Sequence, residues 1–254
     1  MNLSQWDQRI RRAEELAAAH PFAADVLRFY QRVATIQKGL YWYAKESPAA
    51  DLASILPKFP EFLSAVEAAA PEPIAKSARE WKTQGLDRSI ELLESRWRST
   101  SAAGDPGALL AWLFLQPYGE YVAEQAGTAL RQQNAAAVCP FCSRKPVVGV
   151  LRPEGDGAKR SLICPFCATE WPFLRILCPA CGEQSSEKLA SYTADQFMHV
   201  RVEACDTCGC YIKTVDLTRN GHAVPVVDEL ATIPLNLWAR ERGYVKIQTN
   251  MLGI

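Results

Sequence analysis

Four Cys-x-x-Cys pairs hold eight of the nine cysteines, and they constrain the fold more than any other feature of this 254-residue chain. Two thiolates three positions apart reach one tetrahedral ion when the backbone turns tightly between them, and two such pairs complete a four-sulfur site. Proline follows the first cysteine in three of the pairs, which favours the turn. The sequence therefore predicts two metal sites, whose ligands are Cys139, Cys142, Cys164, Cys167, Cys178, Cys181, Cys205 and Cys208.

The gaps between the pairs predict which pairs share an ion. The first and last gaps contain 21 and 23 residues, enough for a hairpin that places two pairs face to face, whereas the middle gap contains 10. We therefore expect the first pair to join the second and the third to join the fourth, as two tandem rubredoxin-like or zinc-ribbon modules. A cross-braced arrangement, with the first pair joined to the third, is the competing interpretation.

The residue after each closing cysteine bears on the turn. Gly182 and Gly209 follow two of the closing cysteines, where a positive φ would aim backbone N–H groups at sulfur. Ser143 and Ala168 stand in that place in the other two pairs, so we expect strain there. Cys210, directly after the fourth pair, would share a strand face with Ile212, which favours a buried apolar role over a reactive thiol.

Other interpretations of the cysteines fit less well. A redox Cys-x-x-Cys pair normally stands alone at a helix start in a βαβ setting, and none of these four has that context. The three histidines, His20, His199 and His222, are scattered and form no ligand pair. Four thiolates suit zinc and mononuclear iron alike, so the residues alone leave the metal open; only iron would make a site redox-active.

The overall charge argues against nucleic acid and membranes as partners. Lys plus Arg and Asp plus Glu both number 28, so no global field attracts phosphate or anionic lipid. From residue 139 onward we count 13 basic and 12 acidic residues, and four thiolates around a divalent ion add net negative charge.

No secretion signal is visible in the polar start, and the longest apolar run, 108–115, is too short for a bilayer. We expect a cytoplasmic protein, where cysteines stay reduced.

The two halves of the sequence differ in the spacing of their apolar residues. The first half shows helical spacing of apolar residues over 26–43, 62–70 and 86–97, with breaks expected at 47–48, 71–73, 104–107 and 116–119. The tryptophans and tyrosine at 81, 97, 112 and 121 are interpreted as core packing. Loops of this length suit an antiparallel bundle.

The second half reads as short strands between turns. Strands are expected at 146–151, 161–163, 173–177, 200–202 and 211–215, followed by helical spacing over 228–242 that Pro234 either restarts or kinks. The prediction is α plus small β: an N-terminal all-helical bundle over 1–136, a first metal module over 137–175, and a second over 176–254 with a C-terminal helix. The bundle should end near 135–138.

At this point the sequence resembles the formate dehydrogenase accessory (FdhE) family. The resemblance is concentrated in the stretch from Cys164 to Cys181, which includes Thr169-Glu170-Trp171. It continues through 205–213 and into the tail at 228–231 and 241–244. The helical half agrees with the family in length and type only.

The resemblance implies a cytoplasmic maturation factor, or chaperone, for respiratory formate dehydrogenase. It implies iron in rubredoxin-like sites, with zinc as the alternative, the eight paired cysteines as ligands, and the formate dehydrogenase catalytic subunit as partner. No phosphate loop, serine elbow or catalytic triad emerges from the residues, so we expect an accessory protein and not an enzyme. An iron-dependent electron-transfer role on the same enzyme is the alternative, and homo-oligomerisation stays open.

Overall fold

A computed structural model describes residues 4–47, 51–100, 106–127 and 136–254. The chain divides between Gln125 and Ala126 into a helical unit and a unit built around a β-sheet. The breaks predicted at Pro48 and at Gly104–Asp105, and part of the predicted boundary near 135–138, lie outside the described residues. The division of the second half into modules 137–175 and 176–254 stays a prediction.

The described part of the first unit contains seven α-helices. The helices predicted over 26–43, 62–70 and 86–97 are confirmed as α2 (Ala24–Glu46), α4 (Phe59–Ala69) and α6 (Leu86–Arg98). Capping residues fix two of the starts, since the Asp7 N–H donates to Ser4 Oγ at 3.1 Å and the Ser54 N–H donates to Asp51 Oδ1 at 2.9 Å. The helices are α1 Gln5–Ala19, α2 Ala24–Glu46, α3 Leu52–Ile55, α4 Phe59–Ala69, α5 Glu72–Thr83, α6 Leu86–Arg98 and α7 Pro106–Gln125.

The predicted break at 116–119 is wrong, because α7 runs through Pro117 without interruption. A proline inside a helix leaves the carbonyl four residues earlier without its N–H donor. Here that carbonyl belongs to Leu113, and the buried Gln37 side chain of α2 donates to it at 2.7 Å. A long-range partner therefore replaces the missing helical bond.

The aromatic residues of this unit form its core, as predicted. Trp81, Trp112 and Tyr121 are buried, and Trp97 packs against Tyr118 with ring centroids 5.2 Å apart. The apolar face predicted for α2 contains residues 26, 29, 33, 36, 40 and 43, and it is confirmed only in part. Phe29 and Val33 are buried, whereas Tyr43 is 38 % exposed and the buried face also includes residues 27, 30, 34, 37 and 41.

The second unit contains one sheet with strands in the order β3-β2-β1-β6-β5-β4, and β7 also pairs with β6. The first cysteine pair precedes β1, and the second lies in the loop between β2 and β3. The third pair precedes β4, and the fourth lies where β5 turns into β6. The strands are β1 Val148–Glu154, β2 Gly157–Ile163, β3 Glu170–Pro172, β4 Leu189–Thr193, β5 Val200–Cys205, β6 Cys210–Asp216 and β7 Val245–Lys246.

A parallel pairing joins the two cysteine-containing halves of this sheet. Strands β1 and β6 run side by side from Val148 opposite Lys213 to Leu151 opposite Asp216. Gly149 lies in this pairing, and a Cβ added there would come 2.3 Å from Thr214 Oγ1. Only glycine therefore permits the two strands to approach in this way.

The strand predicted over 173–177 is wrong, since β3 ends at Pro172. The carbonyls of Leu174 and Leu177 accept hydrogen bonds from the Arg160 guanidinium, at 2.9 and 3.3 Å, instead of from a neighbouring strand. The segment is thus a linker that Arg160 holds between the second and third cysteine pairs.

Two helices, α8 Pro225–Ala231 and α9 Ile233–Glu241, cover one face of this sheet. Pro234 stands in the first turn of α9, so it starts a new helix instead of kinking a longer one. Val202, Tyr211 and Val215 from the sheet pack with Leu235 and Ala239 of α9. Within the described residues, every helix is too short or too polar to cross a lipid bilayer.

Candidate metal centres

The structure brings the eight cysteines together as two groups of four. Each group comes from the pairs that the gap lengths predicted, the first with the second and the third with the fourth, and the cross-braced alternative is wrong. In the first group, Sγ atoms lie 3.5 Å apart for Cys139 and Cys167, and 3.4 Å apart for Cys142 and Cys164. In the second group, the corresponding distances are 3.8 Å for Cys178 and Cys208 and 3.7 Å for Cys181 and Cys205.

These separations fit a tetrahedral ion. Metal–sulfur bonds of about 2.3 Å in a tetrahedron place sulfur atoms about 3.8 Å apart, whereas a disulfide holds them at about 2.05 Å. All nine cysteines are free thiols, and the sulfur atoms of each group lie within 4.8 Å of one another. Either group could therefore hold one Zn²⁺ or one mononuclear iron.

The cysteine pairs share one backbone design. In the first pair, the Ser143 N–H donates to the Cys139 carbonyl at 2.9 Å, and the Cys139 N–H donates to the Arg144 carbonyl at 2.8 Å. The third pair repeats both bonds at 3.0 and 2.9 Å, with Gly182 in place of Ser143. This small closed loop presents both sulfur atoms of a pair to the same side.

The loop requires a left-handed residue after each closing cysteine. Gly182 and Gly209 have φ of 79° and 67°, which glycine adopts without cost. Ser143 and Ala168 have φ of 59° and 52°, and they are the only non-glycine residues with positive φ among those described. The strain expected at these two turns is therefore confirmed, and all of it falls on the first group.

Backbone N–H groups around the sulfur atoms favour thiolates. The Phe166 N–H lies 3.4 Å from Cys164 Sγ, and the Ala180 N–H lies 3.4 Å from Cys178 Sγ, but burial outweighs these donors and raises the pKa of both thiols. Burial disfavours the thiolate of Cys205, but the N–H groups of Cys208 and Thr207 donate to it, and its pKa is lowered. Such donors offset the negative charge that four thiolates place around a divalent ion.

The two groups differ in access to solvent. Three cysteines of the first group are at most 3 % exposed, and the buried Arg144 guanidinium stacks on Phe166 with its centre 3.9 Å from the ring. In the second group, Cys181 is exposed. An ion in the second group would therefore be closer to solvent, chelators and a partner protein than one in the first.

Side chains beyond the cysteines connect the loops of each group. Thr169 Oγ1 lies 3.1 Å from Cys167 Sγ, and the indole of Trp171 donates to the carbonyl of Ala136 at 2.8 Å, so the Thr169-Glu170-Trp171 segment helps to position both pairs. In the second group, Thr207 donates to Glu183 at 2.6 Å and links the third pair to the fourth. Sequence reasoning missed Glu183, because nothing local indicates a partner 24 positions away.

The remaining candidates lie outside both groups. Cys210 is half-buried and lines one cleft together with Ile212, so the shared strand face is confirmed and the predicted burial only in part. His199 Nε2 lies 2.8 Å from Asp228 Oδ1, and neither group contains a histidine.

A buried charge network, which the sequence did not predict, joins the sheet to the C-terminal segment. Glu229 Oε1 lies 3.0 Å from Nζ of the fully buried Lys213, and it also accepts from Lys246, while Asn250 donates to Oε2 at 3.0 Å. Burial lowers the pKa of Lys213 to about 8. Glu229 is fully buried as well, but its two lysine partners lower its pKa to about 2.

Comparison with known proteins gives the same family for both metal-binding halves. Residues 138–175 match the family described as FdhE, central domain, and residues 176–252 match the one described as FdhE, C-terminal domain. The boundary between the two matches falls in the linker that Arg160 holds.

Proteins named as FdhE homologues are similar in sequence. One from Aquifex aeolicus is 35 % identical over 117 residues, which cover 45 % of this chain and 41 % of that protein. One from Haemophilus influenzae strain PittEE is 25 % identical and aligns over 96 % of this chain and 87 % of its own length. The chain thus spans less than half of the Aquifex relative and most of the Haemophilus one.

A solved structure shares the fold along nearly the whole chain. The crystal structure of the FdhE protein from Pseudomonas aeruginosa superposes with a TM-score of 0.74 and 24 % identity, covering 99 % of this chain and 97 % of that one. The arrangement of helices and sheet is therefore a fold that an experimental structure also has.

Proposed function

This chain belongs to the FdhE family, and we propose that it is an accessory protein for the maturation of formate dehydrogenase. It would bind the immature catalytic subunit in the cytoplasm, with a metal ion in each four-cysteine group. In this proposal the chain is a chaperone and not an enzyme, and the eight cysteines are ligands whose ions hold a docking surface in shape.

One observation carries the proposal: the two four-cysteine groups are built into a single sheet that matches both FdhE domains from 138 to 252. Four protein thiolates around an ion leave no position for a substrate, which is the arrangement of structural sites and not of catalytic zinc. Ions of this kind contribute folding free energy to the loops that they join. The geometry therefore supports a surface for a protein partner.

Capture of the partner tests this role. We would immobilise the anaerobically purified chain and measure binding of the formate dehydrogenase catalytic subunit from lysate by immunoblot. A variant with serine at the four cysteines of the second group should lose capture, because the loops around that group lose their ion. A variant with serine at Ala158, at the start of β2 and at the far end of the β1–β2 hairpin from the cysteines, is the control and should retain it. Absence of capture by the unmodified chain, with soluble subunit present, would contradict the proposal.

The exposed position of Cys181 favours one second candidate, an iron-dependent electron-transfer protein acting on the same enzyme. Iron in a four-thiolate site changes its charge by one on reduction, and a site near the surface exchanges electrons more readily than a buried one. The Cys181 side of the second group is where a redox partner would approach.

Metal analysis separates the two candidates. Iron is expected from the family resemblance, and elemental analysis of anaerobically purified protein should then give two iron ions per chain. Reversible one-electron reduction of the second group alone would support electron transfer. Stoichiometric zinc in both groups would exclude it and leave the maturation role standing.

A further inference from the structure

A cleft of about 370 Å³ lies beside the second cysteine group. Its floor includes Arg201 and Glu203 of β5 and Ile212 of β6. Side chains alternate along a strand, and the intervening Val200 and Val202 belong to the core under α9, so the cleft lies on the opposite face of the sheet. Coordination of an ion by either cysteine group does not require this cleft.

Arg160 of β2 holds the cleft open. Its side chain is 3 % exposed, its Nη2 lies 2.5 Å from Glu203 Oε2, and its Nη1 donates to the carbonyl of Leu174 at 2.9 Å. The buried Nε of Arg160 has no hydrogen-bond partner among the described residues. The cleft is thus preformed, and a fully buried cation with a spare donor forms part of its wall.

The lining is apolar with arginines on one side. Arginines 160, 175 and 201 line the cleft with one carboxylate, Glu203, which pairs with Arg160 and with Arg201 Nε at 3.1 Å. A divalent ion with four thiolates adds two negative charges at the wall that Cys178 and Cys205 form, so the positive charge of the lining is local to Arg175 and Arg201. Leu177, Leu189 and Ile247 supply apolar surface. Ile176, which also lines the cleft, is 55 % exposed and offers apolar surface to an occupant.

We propose that this cleft binds an extended peptide segment of the client protein in which an acidic side chain lies next to bulky apolar ones. The proposal rests on the proposed maturation role and names the chemistry of the partner. The acidic side chain would pair with Arg175 and Arg201, and the apolar ones would cover Ile176 and Leu189.

The edge of the sheet favours a peptide as the occupant. Strand β4 is last in the strand order, and no described strand pairs with its outer side. Leu189 and Ser191 of β4 line the cleft, so a peptide lying there could also pair with the free backbone groups of β4. A preformed cleft next to an open edge gives both side-chain and main-chain recognition.

Binding in this cleft would be linked to the metal. Cys178 and Cys205 of the second group form part of the wall, and Pro179 lies between Cys178 and the rest of its loop. A peptide that binds the metal-loaded form more tightly than the metal-free form must raise the affinity of the second group for its ion by the same factor, because the two binding equilibria are linked. The first group, whose cysteines do not line the cleft, provides an internal comparison.

The test uses the metal-loaded full chain and a fluorescein-labelled peptide of alternating leucine and glutamate, followed by anisotropy. The same peptide with glutamine for glutamate should bind at least about tenfold more weakly, since a charge pair is lost. Arg175→Glu should weaken binding of the glutamate peptide by about the same factor, and Ile176→Ser should also weaken it. Lys145→Glu, an equal charge change outside the cleft lining, should not. At equilibrium, the glutamate peptide should raise the chelator concentration needed to remove the second ion and leave that for the first ion unchanged.

Three results would overturn the proposal: equal affinity for both peptides, unchanged affinity in both cleft variants, or complete displacement of the peptide by equimolar glutarate. The last would make the cleft a site for small carboxylates. Capture of the catalytic subunit that survives Arg175→Glu and Ile176→Ser would leave the maturation role in place and refute the cleft. Peptide binding without capture of the subunit would refute the maturation role instead.

Discussion

At the residue scale, the residue after each closing cysteine decides how much backbone strain the turn of that cysteine pair contains. The backbone there is left-handed in all four pairs, yet only two of the residues are glycine. A side chain in this conformation costs about 1–2 kcal/mol, because Cβ crowds the following carbonyl oxygen. The first group therefore folds against a cost that the second avoids, and its deeper burial and the Arg144 side chain must offset it.

Exchanging the residue type should reverse this difference. Ala168→Gly should raise the free energy of unfolding of the metal-loaded second unit by about 1 kcal/mol, because the strain at φ 52° is relieved. Gly182→Ala should lower it by a similar amount, and its new Cβ would meet nothing within 4 Å, so that only backbone strain changes. Urea unfolding at fixed metal concentration measures both. A destabilising Ala168→Gly would show that the turn carries no strain.

At the scale of elements, the parallel pairing of β1 with β6 is what makes one sheet from two cysteine hairpins. The pairing leaves no room for a side chain at Gly149, and Thr214 Oγ1 opposite is buried without a hydrogen-bond partner among the described residues. A buried hydroxyl without a partner costs free energy, so Thr214 contributes shape at this position and not hydrogen bonding.

Gly149→Ala should therefore destabilise the second unit by about 1–3 kcal/mol, as overpacking of a tight interior does. Thr214→Ala alone should be nearly neutral, because it removes an unsatisfied hydroxyl. The double variant should recover most of the loss, since the two changes act on the same 2.3 Å contact. Thermal unfolding of all four proteins gives the coupling energy. Additive effects would show that the crowding lies elsewhere.

Helix α8 is fixed to the sheet by the buried carboxylate of Glu229 between two lysines. Glu229→Gln should cost about 3–5 kcal/mol, because it leaves buried cations without their counter-charge. The cost should shrink as pH rises towards about 8, the pKa of Lys213 in the unmodified fold. Without the Glu229 carboxylate the pKa of Lys213 falls further, so the variant loses this proton at a lower pH, and above about 8 Lys213 is neutral in both folded proteins. Glu241→Gln, at an exposed site in α9, is the control for urea unfolding at each pH. A loss that does not change with pH would contradict this account.

What the sequence could predict follows from how local each feature is. The spacing of the cysteines predicted which two pairs a hairpin can bring together around one ion, and that grouping is confirmed. Pro117 was misjudged as a break because its substitute donor, Gln37, is 76 positions from the carbonyl it serves. The linker at 173–177 was wrongly predicted to be a strand. Its carbonyls accept hydrogen bonds from the side chain of Arg160, which belongs to β2 and is not close to them in sequence. Strand order across β1 and β6 was likewise beyond any local pattern.

At the scale of the whole molecule, each unit has a core of its own. The helical unit is built on α7 and its aromatic neighbours, and the second unit on the sheet under α8 and α9. Whether the second unit is itself two modules, 137–175 and 176–254, depends on how strongly β1 and β6 hold together once one ion is lost. The cysteines of each group make this a question that single substitutions can answer.

Cys205→Ser removes a ligand of the second group, and Cys142→Ser removes one of the first. Each ion contributes much of the folding free energy of the loops around it, so each variant should lose hydrogen-exchange protection first in its own strands, β4–β6 or β1–β3. Because β1 pairs with β6, we expect both variants to lose protection at 148–151 and 213–216 as well, while α1, α2 and α7 keep theirs.

Cys210→Ser, which leaves both groups intact, should change none of these segments. Loss confined strictly to one side of the β1–β6 pairing would instead establish two independent modules, and loss of protection in the helices would show that the two units do not fold independently.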